Sequence, residues 1–266
     1  MHWLQRLGAR PKFFYVISHE RSGTHFLINC LKLNTSIDLK YQSAGEWFGP
    51  FEKSQAQFNH IEKKLSNLSS KNYYVLKSHC DRDLFEKAYL KGKIIYIFRD
   101  YRDVLTSYYH FLQDGYLDWA QQHNSDIKSV WFSNFSDFIR KPAPNFLRFN
   151  YSLHGNFSTP LERWDNHVMK WISSPSKNIQ VVTYNQLYFD AEKTTRKLLK
   201  FLNLPCKRSF THPNFENAYS VMPRKGIIGD WKNQLSTEDK AFLESAIANK
   251  LPLLNQFPWE SSLTAS

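Results

Sequence analysis

Short apolar runs alternate with amphipathic stretches along the chain, and this alternation predicts the secondary structure. Runs of apolar, aromatic and β-branched residues predict buried strands at Phe13–Ser18, Tyr73–Lys77, Lys93–Phe98 and Asn178–Tyr184. Helical spacing of apolar residues, or a helix-start sequence, predicts helices at Thr24–Leu33, Asp83–Leu90, Tyr101–Leu112, Ala191–Leu202 and Ser236–Lys250. Strands that alternate with helices indicate an α/β fold, with a mainly parallel central sheet and helices on both of its faces.

Long stretches without clear periodicity separate these elements. They lie around residues 41–70, 113–160 and 208–230 and are predicted to be loops over the ligand-binding face, because loops of such length are usually functional. The chain shows no internal repeat and no low-complexity tract. We therefore expect residues 1–266 to form a single domain.

Composition narrows the class of protein. With 42% hydrophobic residues the chain of 266 residues can bury a full core, which excludes disorder as the main state. Lysine and arginine number 35 against 24 acidic residues, so the net charge of +11 predicts attraction to anions. Cys30, Cys80 and Cys206 form neither a disulfide framework nor a zinc pattern, which favours a reducing cytoplasm. No apolar run reaches the length of a signal peptide or a membrane span.

The turn after the first predicted strand has the features of a phosphate site. A strand-to-helix turn directs backbone N–H groups and the positive helix end to one point. Arg21 adds a permanent charge, Ser22 and Thr24 add hydroxyl donors, and Gly23 allows close backbone approach. Of the ATPase pattern GxxxxGK[ST], the chain keeps the second glycine but neither the lysine nor the magnesium-binding hydroxyl that follows it. Taken alone, the segment is weak evidence for such a site, and an ordinary strand-to-helix turn is the favoured interpretation.

Further candidate groups follow other predicted strands. Arg99 stands at the carboxyl end of a strand, where α/β sheets bind ligands, and Ser107 follows on the next helix, so the two side chains could clamp a second phosphate. The alternative is a surface ion network between residues 99 and 103. The segment Arg224–Gly226 suits a lid over an anion, or else a solvated basic turn. His79, two residues after Lys77, is a candidate proton acceptor or an ordinary buried histidine.

These segments together resemble the signature motifs of the cytosolic sulfotransferase family. The family loop Y-P-K-S-G-T-T-W is similar to His19–Phe26, and R-N-P-K-D-V-x-x-S-Y-Y-H-F is similar to Arg99–Phe111. The motif R-K-G-x-x-G-D-W-K is matched in full by Arg224–Lys232, and K-T-H resembles Lys77–His79. The resemblance spans residues 13–232 and implies a P-loop-like sulfotransferase fold that uses 3′-phosphoadenosine 5′-phosphosulfate (PAPS) and releases 3′-phosphoadenosine 5′-phosphate (PAP), with no metal.

The resemblance also implies roles for the matching positions. The residues implied to hold the cofactor near its 5′-phosphosulfate are Arg21, Ser22, Gly23, Thr24 and His25. Those implied to hold the 3′-phosphate are Arg99, Ser107, Arg224, Lys225 and Gly226. Phe26 and Tyr184 would contact adenine, and Trp231 is a weaker candidate for the same contact. His79 would be the general base, while Lys77 and Arg21 would stabilise charge on the transferring group.

The chain departs from the family pattern at several positions. Arg21 replaces a lysine, and unlike lysine an arginine can neutralise the leaving phosphate but cannot act as a titrating donor. His25 replaces a threonine. The family's dimer motif would start at Lys232, but it lacks its glutamate and finds Ala241 there, which leaves the oligomeric state open. Divergence from the animal signatures favours a microbial enzyme that modifies natural products.

The sequence therefore predicts a cytoplasmic sulfotransferase that transfers a sulfuryl group from PAPS to a hydroxyl or amine. The acceptor is expected to be a small molecule, enclosed by aromatic-rich acceptor-side loops, and its identity stays open. The alternatives are a P-loop kinase that uses magnesium and ATP, a noncatalytic scaffold, and a basic nucleic-acid-binding protein. Because the lysines and arginines form no basic stripe, we expect no nucleic-acid partner, and we expect no membrane partner either.

Overall fold

A parallel sheet forms the centre of the structure. The structure, a computed structural model, describes residues 12–43, 68–79, 81–83, 92–113, 132–142, 158–174, 176–214 and 226–260. The strands in this part of the chain are β1 (Lys12–Ser18), β2 (Leu39–Ser43), β3 (Tyr73–Ser78), β4 (Lys93–Phe98) and β5 (Ile179–Thr183). They form a five-stranded sheet in the order β2-β3-β1-β4-β5, and every pairing is parallel. The predicted parallel α/β architecture is confirmed.

The described residues also form helices, which alternate with the strands along the chain. They are α1 (Thr24–Asn34), α2 (Tyr101–Phe111), α3 (Phe135–Arg140), α4 (Pro160–Ile172), α5 (Tyr184–Phe189), α6 (Ala191–Leu202), α7 (Thr237–Ile247) and α8 (Leu251–Leu254). Short 3₁₀ helices cover Asp230–Asn233 and Ala248–Lys250. None of the helices in this part of the chain has the length and apolar character that crossing a bilayer requires.

Helices cover both faces of the sheet, which explains why the strands are apolar on both sides. Alternate residues of β1 point to opposite faces, so Tyr15 packs with α2, α4 and α7 while Phe14 packs with α1 and α6. The register places the carboxyl ends of β1, β3 and β4 beside one another, with Ile17 opposite Ser78 and Ser18 opposite Ile97. Residues that follow these strands are therefore brought together.

The structure differs from the sequence-based expectations in a few elements. β2 overlaps the start of the loop predicted from residue 41, and α4 was not predicted, although Pro160 and a Thr159–Glu162 capping box begin it. Tyr184 begins α5 instead of ending a strand, because Thr183 caps that helix. The predicted helix after Asp83 and most of the predicted long loops lie outside the described residues.

Candidate active site

The turn between β1 and α1 has an unusual backbone that suits an anion. Arg21 has a φ of 60° and Gly23 a φ of 90°, so both lie in the left-handed region. A Cβ atom on Gly23 would lie 2.3 Å from Cδ2 of Tyr184, which leaves room for glycine alone. Gly23 precedes α1 without a capping side chain, and the first turn of α1 carries no acidic residue. The helix end and the turned backbone together form the type of concavity that binds phosphates.

The hydroxyl groups of this turn face inward. Thr24 Oγ1 lies 2.5 Å from Ser18 Oγ, and the Ser22 hydroxyl donates weakly to the carbonyl oxygen of Glu20 at 3.5 Å. Ser18, Ser22 and Thr24 are all buried. These contacts hold the predicted phosphate-binding residues Ser22 and Thr24 in fixed positions next to the end of β1.

Arg21 joins the first predicted motif to the second. Its Nε donates to the Ser107 hydroxyl on α2 at 3.1 Å, across 86 positions of sequence. Its guanidinium carbon lies 5.0 Å from the centre of the Phe111 ring, one turn further along α2. The structure thus places Arg21 and Ser107 side by side.

Arg99 lies at the carboxyl end of β4 and is buried. Its guanidinium donates to the carbonyl oxygen of Ile227 at 2.5 Å, lies 3.5 Å from Asp103 Oδ2, and sits 4.5 Å from the centre of the Tyr184 ring. Within the described part of the chain, Arg99 Nε is buried without a hydrogen-bond partner. A buried charged donor without a partner is costly unless an anion approaches it. The geometry of Arg99 therefore suits a bound phosphate.

The alternative interpretation of this motif is an ion network, and the structure contains one between Asp100 and Arg102. Arg102 Nε and Nη2 donate to the two carboxylate oxygens of Asp100 at 2.9 and 2.8 Å, and both residues are buried. The network is therefore an internal one and not the surface network that we considered. It anchors the start of α2, where the Asp100 carboxylate also accepts from the Arg102 backbone N–H.

Hydrogen bonds to two helices hold the segment that begins at Gly226. The Tyr184 hydroxyl on α5 donates to the Gly226 carbonyl at 2.9 Å, and Gly226 has a φ of 65°. The backbone N–H of Gly229 donates to both carboxylate oxygens of Asp103 on α2 at 3.1 Å. Gly226 is thereby brought to Arg99 and Tyr184. Arg224 and Lys225 lie outside the described residues, so their roles stay predictions.

An aromatic group lies on the α1 side of the same region. The Phe26 ring is half-buried, 6.0 Å from Tyr184 and 5.7 Å from His212. The neighbouring His25 packs near Tyr41 instead, at 6.1 Å. Trp231 belongs to the core on the opposite face of the sheet, where the Arg102 guanidinium covers it at 4.2 Å. The structure brings Phe26 and Tyr184 together but does not bring Trp231 to them.

His79 follows β3 directly and is buried against the end of β1. Its Nδ1 lies 2.7 Å from the carbonyl oxygen of Ser18. Because a carbonyl can only accept, Nδ1 must carry the proton, and Nε2 keeps its lone pair. Burial, and next the positive charge of Lys77, lower the pKa of His79 well below its ordinary value. The imidazole is therefore neutral at pH 7 and able to accept a proton at Nε2.

His167 on α4 contacts the same histidine and was missed by the sequence-based prediction. Its Nε2 donates to the backbone carbonyl of His79 at 3.2 Å, and its Nδ1 accepts from the Tyr96 hydroxyl at 3.0 Å. Burial raises the pKa of Tyr96 well above its ordinary value, so its hydroxyl stays protonated and donates. These bonds connect the backbone of His79 to α4 and β4.

A second cluster was also missed, next to the phosphate-type turn. The Arg163 guanidinium on α4 donates to His19 Nε2 at 3.1 Å and forms an ion pair with the Glu20 carboxylate. His19 Nδ1 donates to the Glu20 carbonyl at 2.9 Å. Burial and the Arg163 charge lower the pKa of His19 well below its ordinary value. No signal in the sequence linked Arg163 to the turn, since α4 itself was not predicted.

Comparisons with known proteins agree with this fold. A family model described as the sulfotransferase domain matches residues 11–255. Sulfotransferase 2A1 of Macaca fascicularis is 27% identical over 92% of this chain and 87% of its own length. The 3-beta-hydroxysteroid sulfotransferase of Cavia porcellus is 29% identical over 92% of this chain and 86% of its own.

Solved structures share the fold at lower identity. The mouse sulfotransferase SULT7A1 complexed with PAP has a TM-score of 0.59 at 17% identity, and the match covers 91% of this chain and 84% of that one. Retinol dehydratase in complex with androsterone and PAP has a TM-score of 0.60 at 18% identity, covering 92% and 82%. At this level of identity the likeness establishes the fold.

Proposed function

Since the chain belongs to the sulfotransferase family, we propose that it transfers a sulfuryl group from PAPS to a hydroxyl or amine of a small-molecule acceptor. We assign His79 as the general base. Family membership favours this reaction over the kinase and nucleic-acid-binding alternatives, and the retention of Lys77 and His79 favours it over a noncatalytic scaffold. The spacing of the cysteines further supports a cytoplasmic location.

The observation that carries the proposal is the convergence of two guanidinium groups from distant motifs. PAPS bears anionic groups at two positions of one ribose, so its binding needs two cationic subsites a few ångströms apart. Arg21 and Ser107 lie in contact, and Arg99 lies against Tyr184, whose ring also packs on Gly23. The unpaired Nε of Arg99 and the left-handed turn at Gly23 fit such a ligand. Both structural relatives are complexes with PAP, which supports the choice of nucleotide.

The residues around His79 support its assigned role. Bound PAPS would supply an activated sulfuryl group, linked to phosphate through an oxygen. His79 Nε2 would accept the proton of the acceptor hydroxyl or amine as that atom bonds to sulfur, while the bond between sulfur and the bridging phosphate oxygen breaks and PAP leaves. Lys77, buried two residues before His79, stabilises negative charge on the transferring group, as do Arg21 and the first amides of α1. Positioning by these fixed groups contributes most of the acceleration.

The relatives also guide the choice of acceptors to test. One relative is a 3-beta-hydroxysteroid sulfotransferase, and one structural relative is a complex with androsterone. These are compact, mostly apolar alcohols. We therefore propose that this chain acts on a small acceptor with a hydroxyl group on an apolar frame, with amines as the second class to be assayed.

Calorimetry with PAP tests the proposed nucleotide site. Arg99→Ala removes charge-assisted hydrogen bonds, so PAP affinity should fall roughly ten- to hundredfold. Arg140→Ala is the matched control, because Arg140 forms an ion pair with Asp239 between α3 and α7. It should bind PAP like the wild type. Absence of PAP binding by the wild-type protein, or unchanged affinity in Arg99→Ala, would contradict the site.

Transfer itself is tested by incubating the protein with sulfur-labelled PAPS and a panel of hydroxysteroids, phenols and amines. We expect label in at least one hydroxyl acceptor and release of PAP in equal amount. PAP binding without transfer to any member of the panel would support a nucleotide-binding scaffold instead.

A further inference from the structure

One face of α4 contacts both functional segments of the candidate active site. Arg163 reaches the turn between β1 and α1, and His167, one helical turn later, donates to the backbone of His79. Residues four apart on a helix lie on the same side, so a single rigid element touches the turn before Arg21 and the proposed base. Sulfuryl transfer requires these two segments to stay at a fixed separation.

We propose that Arg163 is a positioning residue that holds Glu20 and His19, and thereby fixes the turn that carries Arg21 relative to His79. The inference rests on the proposed function, since it assigns Arg163 a part in that reaction. Arg163 does not touch the reacting atoms in this assignment. It acts through the two residues that directly precede Arg21.

The contacts of Arg163 suit this task. The guanidinium uses one nitrogen for His19 and another for the Glu20 carboxylate, so it engages two consecutive residues of the turn at once. Arg163 is 5% exposed and His19 1% exposed. Buried charge pairs with directional donors restrict geometry more than solvated pairs do. A lysine could supply the charge but not both directed bonds.

The backbone next to these contacts needs such support. Arg21 is one of two non-glycine residues with a positive φ in the described part of the chain, and this conformation is unfavourable for a residue that carries a Cβ atom. Strained conformations persist when neighbouring contacts hold them. The ion pair at Glu20 and the hydrogen bond at His19 are the contacts directly before the strained residue. Their loss should allow the turn to relax away from the geometry that points Arg21 to Ser107.

Arg163 also influences the proton affinity of the proposed base. The groups that surround His79 are Ser18 on β1, Lys77 on β3, His19 in the turn, and Arg163 and His167 on α4. The charges of Lys77 and Arg163 both lower the pKa of His79. Removal of the Arg163 charge should therefore raise that pKa. The acid limb of the rate profile would then move to higher pH, which a purely structural role would not predict.

The test compares Arg163→Met, Arg163→Lys and Glu20→Gln with the matched control Arg140→Met. We expect Arg163→Met to lower kcat roughly ten- to hundredfold, because small misplacement of reacting groups has effects of that size. Its acid limb should shift upward in pH. Arg163→Lys, which keeps the charge, should keep the wild-type acid limb while recovering part of kcat. Arg140→Met should stay within about twofold of the wild type, since surface and peripheral ion pairs contribute little.

A double-mutant cycle separates direct pairing from general destabilisation. In the Glu20→Gln background, Arg163→Met should lower kcat much less than it does in the wild type. Additive losses would overturn the inference, as would a folded Arg163→Met enzyme with the kcat and pH profile of the wild type. If Arg163→Met does not fold, Glu20→Gln and Arg163→Lys decide the case by kcat and PAP affinity. Both variants should lower kcat with a wild-type acid limb, and wild-type kcat and PAP affinity in both would overturn the inference.

A readout without turnover distinguishes this inference from the proposed function. Histidine ¹⁵N NMR on the wild-type protein should show His19 with a protonated Nδ1 and an unprotonated Nε2 near pH 7, and this pattern should change in Arg163→Met. PAP affinity should fall several-fold in the same variant. A wild-type protein that lacks sulfuryl transfer refutes the proposed function. An unchanged His19 spectrum together with unchanged PAP affinity in Arg163→Met refutes the positioning role.

Discussion

The two halves of the candidate site carry charge in different ways. We call one half the base pocket, which consists of Ser18, Lys77, His79 and His167. We call the other half the anion clamp, which consists of Arg21, Arg99, Ser107, Tyr184 and Gly226. In the base pocket, burial lowers the pKa of the His79 imidazole, and the Ser18 backbone carbonyl sets its tautomer. In the anion clamp, the charges are guanidinium groups, which keep their proton at any physiological pH.

This difference separates proton transfer from binding. The base pocket is attached to strand ends and to α4, so its geometry depends on the core. The anion clamp relies on guanidinium groups that lie over aromatic rings, Arg21 at Phe111 and Arg99 at Tyr184, and on a loop segment tied at Gly226. We therefore expect changes in the base pocket to affect rate and pH response, and changes in the anion clamp to affect nucleotide affinity.

The largest expected effect is on rate and comes from His79→Ala. Loss of a general base should lower kcat by roughly 10²–10⁴. The affinity for PAP should stay within about twofold, because His79 belongs to the base pocket and not to the anion clamp. Single-turnover assays and calorimetry measure the two quantities.

The matched control for this variant is His110→Ala, which removes a histidine bonded to Gln234 at 3.1 Å on the exposed side of α2. It should leave both quantities near those of the wild type. A His79→Ala enzyme with kcat within a few-fold of the wild type would remove the base assignment. An equal loss of PAP affinity and rate would show that the two halves are not separable.

A smaller effect is expected on stability, through the buried histidines. His19 and His79 have lowered pKa values in the folded state, so below about pH 6.5 the unfolded chain binds protons that the folded chain does not. Stability contributed by this difference is therefore present above pH 6.5 and falls as the pH decreases. For each unit by which the pH decreases below 6.5, each of these histidines should lower the free energy of unfolding by about 1.4 kcal/mol. This corresponds to a tenfold change in the folding equilibrium.

Urea unfolding between pH 5.0 and 7.5 measures this dependence. The pKa of Glu20 is raised by burial, which acts in the opposite direction above the ordinary carboxyl range. This one group therefore reduces the slope at the acid end of the window without cancelling the effect of two histidines. His79→Gln should reduce the slope by about half, because one of the two histidines is removed. A free energy of unfolding that stays constant from pH 5.0 to 6.5 would show that the pKa values of His19 and His79 are not lowered in the folded protein.

The sequence predicts the anion clamp better than it predicts the base pocket, and the reason is physical. Backbone turns and strand ends follow from local patterns, so Arg21, Gly23 and Arg99 could be assigned to the proposed phosphate site before any contact was known. The apolar runs likewise predicted β1, β3 and β4 to within one residue. Local conformation and short-range periodicity carry this information.

The contacts of the base pocket depend on tertiary packing, which local patterns do not encode. Arg163 meets His19 across 144 positions, and His167 meets His79 across 88. Both contacts require α4, whose start at Thr159-Pro160 falls in a predicted loop. The tautomer of His79 depends on the Ser18 carbonyl, which only the parallel pairing of β1 with β3 brings near.

The smallest expected effect is on PAP affinity and concerns Arg21, the residue of the anion clamp at which this chain departs from its family. Arg21→Lys restores the family residue but loses the bond from Nε to Ser107 and the contact with the Phe111 ring. The positive charge remains, so PAP affinity should fall only about three- to tenfold. Ser107→Ala should cause part of the same loss, and adding Arg21→Lys to it should cost less than in the wild type. If Arg21→Lys binds PAP as tightly as the wild type, then the anion clamp needs charge alone at this position, and the guanidinium geometry has no separate role.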